Sequence, residues 1–301
     1  MEFQLVKRPE HCNSKYQLDF LINFGDSMKD YKFLALLVAL LMFGCSDTSD
    51  ETTEVEQTSE TVEAEEMGPP FSEYMTCTPG PDFNMDTGRQ MIDEWNDLDF
   101  SEGFEYAAGH IPLSDTSLGG DNKVYWQLFW NSKENADSAW SSGPSPEFVA
   151  WSEKYQNVLT CDTENRRGYD FYVPYGNNAK WNAPVEWVTY AHYCKFNNDD
   201  GLNLLQEAVV AFNAYLDETT NDETAPFIYG VYRHNGDNPE PYKSYDFFWM
   251  NYYESHAEAE TSYARFVELG SEVQAMFDAS ATCEGPNASD SYQFYPDPDG
   301  V

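Results

Sequence analysis

Apolar and polar positions follow two different periods along the chain from about residue 74 onward. Val124–Trp130 alternates, with every second residue on one face, and Val188–Cys194 alternates in the same way, so both stretches predict β-strands. Spacings of three and four over Gly201–Leu216 predict an amphipathic helix. The same helical spacing recurs at Phe266, Leu269, Val273 and Phe277. A helical stretch in the first half is interrupted by Ser141–Pro146, whose glycine and prolines predict two helices joined by a bend.

The order of these elements occurs twice, from about residue 74 to 173 and again from about 190 to 296. In each copy a strand ends in a cysteine, a helix follows, and two strands rich in aromatic residues come next. A second helical stretch then ends at another cysteine, before a last strand. The matching cysteines are Cys77 and Cys194 at the first position, and Cys161 and Cys283 at the second. Internal duplication of this length indicates two similar structural units, and it identifies no function by itself.

Each copy has the element order βαββαβ, which resembles the ferredoxin-like fold. Two such copies with aromatic strands resemble the dimeric α+β barrel superfamily, which includes the antibiotic-biosynthesis-monooxygenase-like and NIPSNAP-like proteins. The resemblance covers residues 74–296 by topology alone, so it implies a fold and little about chemistry. We predict an α+β protein in which tandem duplicated ferredoxin-like units form a fused dimeric α+β barrel. The predicted units are 71–176 and 188–301, joined by a linker at 177–187.

This resemblance implies a pairing for the four cysteines of the repeats. In a ferredoxin-like sheet the last strand lies antiparallel beside the first, so the end of strand one is near the start of strand four. Cys77 should therefore pair with Cys161 and Cys194 with Cys283, in an exported chain where disulfides persist. Each disulfide is worth roughly 4 kcal/mol in the chain-entropy model. No cysteine pair has CxxC spacing and no histidine pair accompanies them, so we predict no metal site and no cofactor.

The beginning of the chain carries export signals. Residues 28–45 combine a basic start with a short apolar core and end at a Gly-Cys pair, which resembles the lipobox of bacterial lipoproteins. The resemblance implies a lipid on Cys45, an upstream segment 1–27 before the true start, and, from Ser46, sorting to the outer membrane. Residues 46–70 are rich in acidic residues, Ser and Thr and lack Lys and Arg, which predicts a disordered tether. A buried apolar helix or a plain membrane anchor is the alternative for the apolar segment.

The net charge of the chain argues against anionic partners. The formal net charge of −37 argues against binding to nucleic acid and to anionic lipid surfaces. A solvated surface suited to a saline habitat explains this acidity better than acidic recognition does. The predicted partners are the membrane, through the lipid on Cys45, and a small molecule or protein that the sequence does not identify.

Candidate ligand-binding residues are His110, Trp126, His192, Tyr229, Arg233, Trp249 and Asn251. His110 and Arg233 end matching strands, where each faces either a cleft or, as we favour, solvent at a hairpin rim. His192 takes the place of Met75 in the first copy. A histidine that replaces methionine is more often a hydrogen-bonded core residue than a ligand, so we favour the core.

Trp126 and Trp249 occupy matching positions, and we expect both in the core. The opposite faces of the same two strands are mixed in character, which suits a seam where the two sheets pack together. These faces carry Tyr125, Gln127 and Phe129 in the first copy and Phe248, Met250 and Tyr252 in the second. Asn251 stands where the first copy has Leu128. A buried amide needs hydrogen-bond partners, so Asn251 marks a difference between the copies.

Two functions remain open from the sequence. The first is a lipid-anchored binding module of the bacterial cell envelope, favoured by the anchor, the tether and the lack of nucleophile, phosphate-loop or HExxH motifs. The alternative, implied by the resemblance, is a cofactor-independent oxygenase or heme-handling enzyme with substrate between sheet and helices, near His110, Trp126, Tyr229 and His192. An enclosed cavity with two or more converging polar groups favours the enzyme, and a filled sheet with an exposed aromatic patch favours binding.

Overall fold

The computed structural model describes residues 68–113, 122–175, 185–220 and 228–297. The first unit contains β1 (Phe71–Pro79), α1 (Met85–Asn96), β2 (Phe104–Pro112), β3 (Val124–Trp130), α2 (Lys133–Ser141), α3 (Pro146–Tyr155) and β4 (Leu159–Tyr172). The second contains β5 (Glu186–Phe196), α4 (Gly201–Thr219), β6 (Ile228–His234), β7 (Phe247–Tyr253), α5 (His256–Leu269), α6 (Ser271–Ser280) and β8 (Ala281–Tyr295). Both units therefore have the predicted order βαββαβ, with the second helix in two pieces.

The eight strands form one closed antiparallel barrel in the order β1-β3-β2-β8-β5-β7-β6-β4. Within each unit the last strand lies beside the first and the third lies between the first and the second, which is the ferredoxin-like order. The units are joined edge to edge, because β2 pairs with β8 and β4 pairs with β6. Closure leaves no free sheet edge among the described strands. The predicted fold class, a fused dimeric α+β barrel, is confirmed.

Side chains alternate between the barrel interior and the outer layer of helices. The interior faces of β3 and β7 carry the residues predicted for the seam between the sheets, and they pack with Tyr74 and Tyr169 from the first unit. The outer faces of the same strands carry Trp126 and Trp249, which pack under the helices of their own units. The described residues therefore form apolar regions inside the barrel and beneath each helical layer.

Both predicted disulfides are confirmed. Cys77 lies opposite Cys161 in the β1–β4 pair, and Cys194 lies opposite Cys283 in the β5–β8 pair. They close loops with sequence separations of 84 and 89 residues. Each disulfide therefore ties the first strand of a unit to its last strand.

The break within the second helical layer differs from the prediction. The helical spacing from Phe266 to Phe277 predicted one continuous helix, but α5 ends at Leu269 and α6 begins at Ser271. Gly270 separates them, and a Cβ at that position would lie 2.4 Å from Cδ2 of Phe266. The close approach of the Phe266 ring requires glycine here. The bend predicted in the first unit is confirmed, with Ser145 capping α3.

The predictions for residues 1–27, 28–45 and Cys45 lie outside the described residues, as does nearly all of the predicted tether. Most of the predicted linker lies outside them too, and β5 begins at Glu186. Within the described ranges, the helices are too short or too polar to cross a membrane.

Candidate functional site

A cavity of about 320 Å³ lies between the outer face of the second unit's sheet and the helices α4, α5 and α6. Its walls are largely aromatic and include Phe212, Tyr215, Phe247, Tyr253, Phe266 and Phe277. Three of the candidate residues, His192, Trp249 and Asn251, form part of its floor. Size and composition match those of small-molecule sites, which are apolar concavities with a few polar groups.

Strand register brings these three floor residues together. His192 of β5 lies directly opposite Trp249 of β7, and Asn251 follows Trp249 by two positions on the same face. The indole Nε1 of Trp249 donates a hydrogen bond to Oδ1 of Asn251 at 2.7 Å. This contact satisfies the amide oxygen. Among the described residues, the Asn251 amide nitrogen has no acceptor, so it can donate into the cavity.

Tyr229 of β6 packs beside Trp249 on the same face of the sheet. The two rings stack with centroids 4.2 Å apart and planes 10° apart. The hydroxyl of Tyr229, which is fully buried, donates to Oδ1 of Asn213 on α4 at 2.6 Å. Phe277 of α6 meets the indole edge-on, with the ring centroids 5.2 Å apart. Tyr229 therefore supports the floor and does not line the cavity.

His192 differs from the hydrogen-bonded core residue that the sequence favoured. Its side chain is half-buried and lines the cavity, and no described residue forms a hydrogen bond with its ring. Burial lowers the pKa of His192, because charge is disfavoured away from water. The imidazole is therefore neutral at pH 7 and offers one donor and one acceptor to a bound molecule.

Polar residues of α5 and α6 line the helical side of the cavity. Ser262 and Arg265 come from α5, and Gln274 and Asp278 come from α6. Gln274 donates to Oδ1 of Asp278 at 2.7 Å. Arg265 has no carboxylate partner among the described residues, although the protein is strongly acidic. Sequence reasoning missed Arg265, and the available signal was its position as the one cationic residue in the acidic α5.

His110 lies inside the barrel and not at an exposed hairpin rim, which corrects the expectation. It is 2% exposed, because pairing of β2 with β8 encloses it. Its Nε2 lies 3.1 Å from Oε1 of Gln127, which can only accept, so Nε2 carries the proton. Nδ1 then accepts from the hydroxyl of Ser291 at 2.9 Å. Burial lowers the pKa of His110 to about 4.

The last two candidates lie away from the cavity. Trp126 is core, as expected: it packs beneath the helices of the first unit, 5.1 Å from Trp95 between ring centroids. Arg233 of β6 is half-buried beside the seam between the units, where it lies opposite Asp170 of β4. The structure therefore groups His192, Trp249 and Asn251 in one site, with Tyr229 as support. It separates them from His110, Trp126 and Arg233.

No protein-family model matches the sequence, and no curated protein matches it. Solved structures similar to this chain include an anthrone oxidase-like protein, with 11% identity, a TM-score of 0.44 and coverage of 74% of this chain and 90% of that one. They also include a single-residue variant of chlorite dismutase from Candidatus Nitrospira defluvii, with 12% identity, a TM-score of 0.43 and coverage of 75% and 92%. At these identities and TM-scores, the likenesses carry no information about function.

Proposed function

We propose that the second unit binds a small aromatic molecule in its cavity and that His192 takes a proton from it, as a cofactor-independent enzyme. The observation that carries the proposal is a histidine ring that lines an apolar cavity and has no hydrogen-bond partner among the described residues. Such a base keeps its lone pair for the substrate, and its depressed pKa keeps it unprotonated at neutral pH. His192 and Asn251 also converge in this cavity, as the enzyme alternative requires of its polar groups.

Asn251 supplies a second functional group at a suitable distance. His192 and Asn251 are diagonal neighbours on one face of the β5–β7 pair, a relation that separates residues by about 7–8 Å. A ring that carries a ketone or hydroxyl fits between them. When His192 removes a proton next to such a carbonyl, charge develops on the oxygen. The Asn251 amide nitrogen can donate to that oxygen and stabilise the charge.

Arg265 and the aromatic walls narrow the substrate class. The edge-on contact of Phe277 with Trp249 and the surrounding aromatic rings favour a planar ring system. Arg265 attracts a carboxylate or phenolate, because its charge has no described counterion. We therefore expect mono- or bicyclic phenolic ketones, with or without an acidic substituent.

The proposal includes attachment to the bacterial outer membrane. Its support is the sequence alone: a signal at 28–45, a lipid-accepting Cys45 and an acidic tether at 46–70. Intact mass should show a lipid on Cys45 and loss of the upstream residues. A Cys45→Ala variant that stays in the detergent phase as the wild type does would refute the anchor.

The enzyme proposal is tested by separating binding from proton transfer. Quenching of tryptophan fluorescence measures the binding of each phenolic ketone. NMR in deuterated water then follows exchange of the proton next to the carbonyl. We expect His192→Gln to bind within about threefold of wild type and to lose exchange by roughly 100-fold, the lower range of general-base contributions. His256→Gln, a histidine bonded to Asp290 outside the cavity, is the matched control and should exchange normally.

A binding module without catalysis is the second candidate. It is favoured by one observation: no described residue forms a hydrogen bond that orients the His192 ring, whereas catalytic bases are generally held by a third group. This candidate predicts tight binding of the same compounds with no exchange above the uncatalysed rate. Exchange that His192→Gln abolishes would exclude it.

Heme is the cofactor that the heme-handling alternative implies, and the cavity fits it in part. A neutral imidazole is the form of histidine that ligates metal, and the apolar walls and Arg265 suit a porphyrin and its carboxylates. The missing hydrogen bond on the ring of His192 does not fit, because metal-bound histidines nearly always have one. Titration with hemin should therefore give no sharp absorbance band that depends on His192.

A further inference from the structure

Arg167 is a cation enclosed in the barrel interior. It lies on β4, it is 2% exposed, and its guanidinium is surrounded by tyrosine rings. The guanidinium carbon lies 4.0 Å from the ring centroid of Tyr242, 4.9 Å from that of Tyr125 and 5.7 Å from that of Tyr74. Such rings attract the cation, but they carry no net charge that would neutralise it.

The charge of Arg167 has no counterion among the described residues. Within the described part of the chain, its one hydrogen bond is a long contact from Nε to the carbonyl oxygen of Tyr74 at 3.5 Å, and one terminal nitrogen, Nη2, has no acceptor. No carboxylate of the described chain lies within 4.0 Å of the guanidinium. Arginine stays protonated in proteins. Removing a charge from water without a partner costs several kcal/mol. An anion bound beside the guanidinium would offset this cost.

A small cavity adjoins the guanidinium. It holds about 30 Å³, and Arg167 and Tyr74 of the first unit line it together with Thr189, Asn287 and Ser289 of the second. No carboxylate is among its described lining residues. The ring of Tyr74, which contacts the guanidinium, also lines this space. A volume of this size holds one or two water molecules or one small ion.

We propose that this cavity is a site for one small monovalent anion, of the size of chloride, bound to Nη2 of Arg167. The anion supplies the missing negative charge and the missing hydrogen-bond acceptor at once. Polar groups from both units line the site, so the anion also ties the two halves of the barrel together. Larger anions do not fit the volume.

The test is thermal unfolding of the wild-type protein at constant ionic strength, with sodium gluconate replaced stepwise by sodium chloride. Constant ionic strength removes general screening of the acidic surface, and gluconate is too large for the cavity. We expect Tm to rise by about 5–10 °C at a chloride concentration one hundred times Kd. Bromide should act as chloride does.

The variant Arg167→Met should lose this dependence on chloride, and Arg89→Gln, which removes an exposed arginine, should keep it. If Arg167→Met does not fold, crystals of the wild type in bromide decide. An anomalous peak within about 3.5 Å of Nη2 of Arg167 supports the site. Equal Tm in chloride and gluconate, an undiminished chloride effect in Arg167→Met, or no bromide beside Arg167 would each overturn it.

Discussion

Aromatic rings of the sheet and the helices meet in the first unit, whereas a cavity lies between sheet and helices in the second. In the first, Trp126 meets Trp95 of α1 and Trp151 of α3, with ring centroids 5.1 and 6.2 Å away. Nε1 of Trp151 donates to the carbonyl of Met91 at 2.9 Å, which fixes α3 to α1. In the second, Trp249 holds the matching position but borders a cavity of about 320 Å³. The same sheet topology therefore carries two different packing arrangements beneath the helices.

The difference shows where a duplicated fold can change without losing its architecture. Both sheets keep their register and both disulfides remain. The changes lie at residues that face the helices, where His192 replaces Met75 and Asn251 replaces Leu128. Polar residues at core positions cost stability, so proteins usually retain them only where they serve a function.

Removal of the disulfides should have the largest effect on the free energy of unfolding. The two disulfides also differ in their exposure to solvent. Replacing either pair by alanine should lower the free energy of unfolding by about 4–5 kcal/mol, because the loops are nearly equal in length. Urea unfolding measures this. Cys283 is exposed, whereas Cys77 is fully buried and Cys161 is half-buried. Native dithiothreitol treatment followed by alkylation and mass spectrometry should find Cys194–Cys283 reduced first; the reverse order would contradict this account.

Removal of the matched tryptophans tests the packing difference itself. Trp126→Ala should cost about 3–5 kcal/mol, since it opens a void in a closed core. Trp249→Ala should cost at least about 1 kcal/mol less, because it enlarges a space that already exists. Urea unfolding of both variants at pH 7 gives the comparison. Equal losses would mean that the second unit is as tightly packed as the first.

Periodicity and duplication were sufficient for the architecture. Strand alternation identified β3 and β5, and the matching position in the second copy identified β7. The recurrence of cysteines together with the ferredoxin-like order gave both disulfides. The seam residues followed from the same alternation. Each of these features depends on local period or on strand order, which a sequence displays directly.

The cavity and the enclosed position of His110 depend on contacts that no local pattern displays. His110 is buried because β2 pairs with β8, which brings Ser291 to its ring from 181 positions away. The cavity depends on how α5 and α6 pack on the sheet after the break at Gly270. The helical spacing did not reveal that break. Arg167 likewise meets Tyr242 of the second unit only when β4 pairs with β6.

The pH dependence of the free energy of unfolding tests the barrel interior separately from the two helical layers, because His110 lies inside the barrel. Burial lowers the pKa of His110 to about 4, below the value of about 6.5 in an unfolded chain. The unfolded state then binds more protons, so this contribution is complete above pH 6.5 and is lost as pH falls toward 4. The loss reaches about 3 kcal/mol. Urea unfolding at pH 7, 5.5 and 4.5 should show a shallower decline in His110→Gln than in wild type. An unchanged decline would show that His110 accepts a proton inside the folded barrel without cost.

The smallest expected effect comes from exchanging the residues that distinguish the two units. His192→Met gives the second unit the residue of the first and removes from an apolar wall an imidazole that no described residue hydrogen-bonds. We expect the free energy of unfolding to rise by about 1 kcal/mol at pH 7. Because the pKa of His192 is lowered, its contribution in wild type declines below pH 6.5, and this part of the decline should disappear in the variant.

The reciprocal change, Met75→His, is the matched control in the packed unit. Met75 is 7% exposed, so a histidine there loses its hydrogen bonds to water without gaining any from the surrounding core. We expect a loss of about 1–3 kcal/mol in urea unfolding, opposite in sign to the effect of His192→Met. Changes of opposite sign would show that the second unit tolerates a histidine at this position because a cavity adjoins it. The same sign in both variants would show that the identity of the residue, and not the cavity around it, sets the cost.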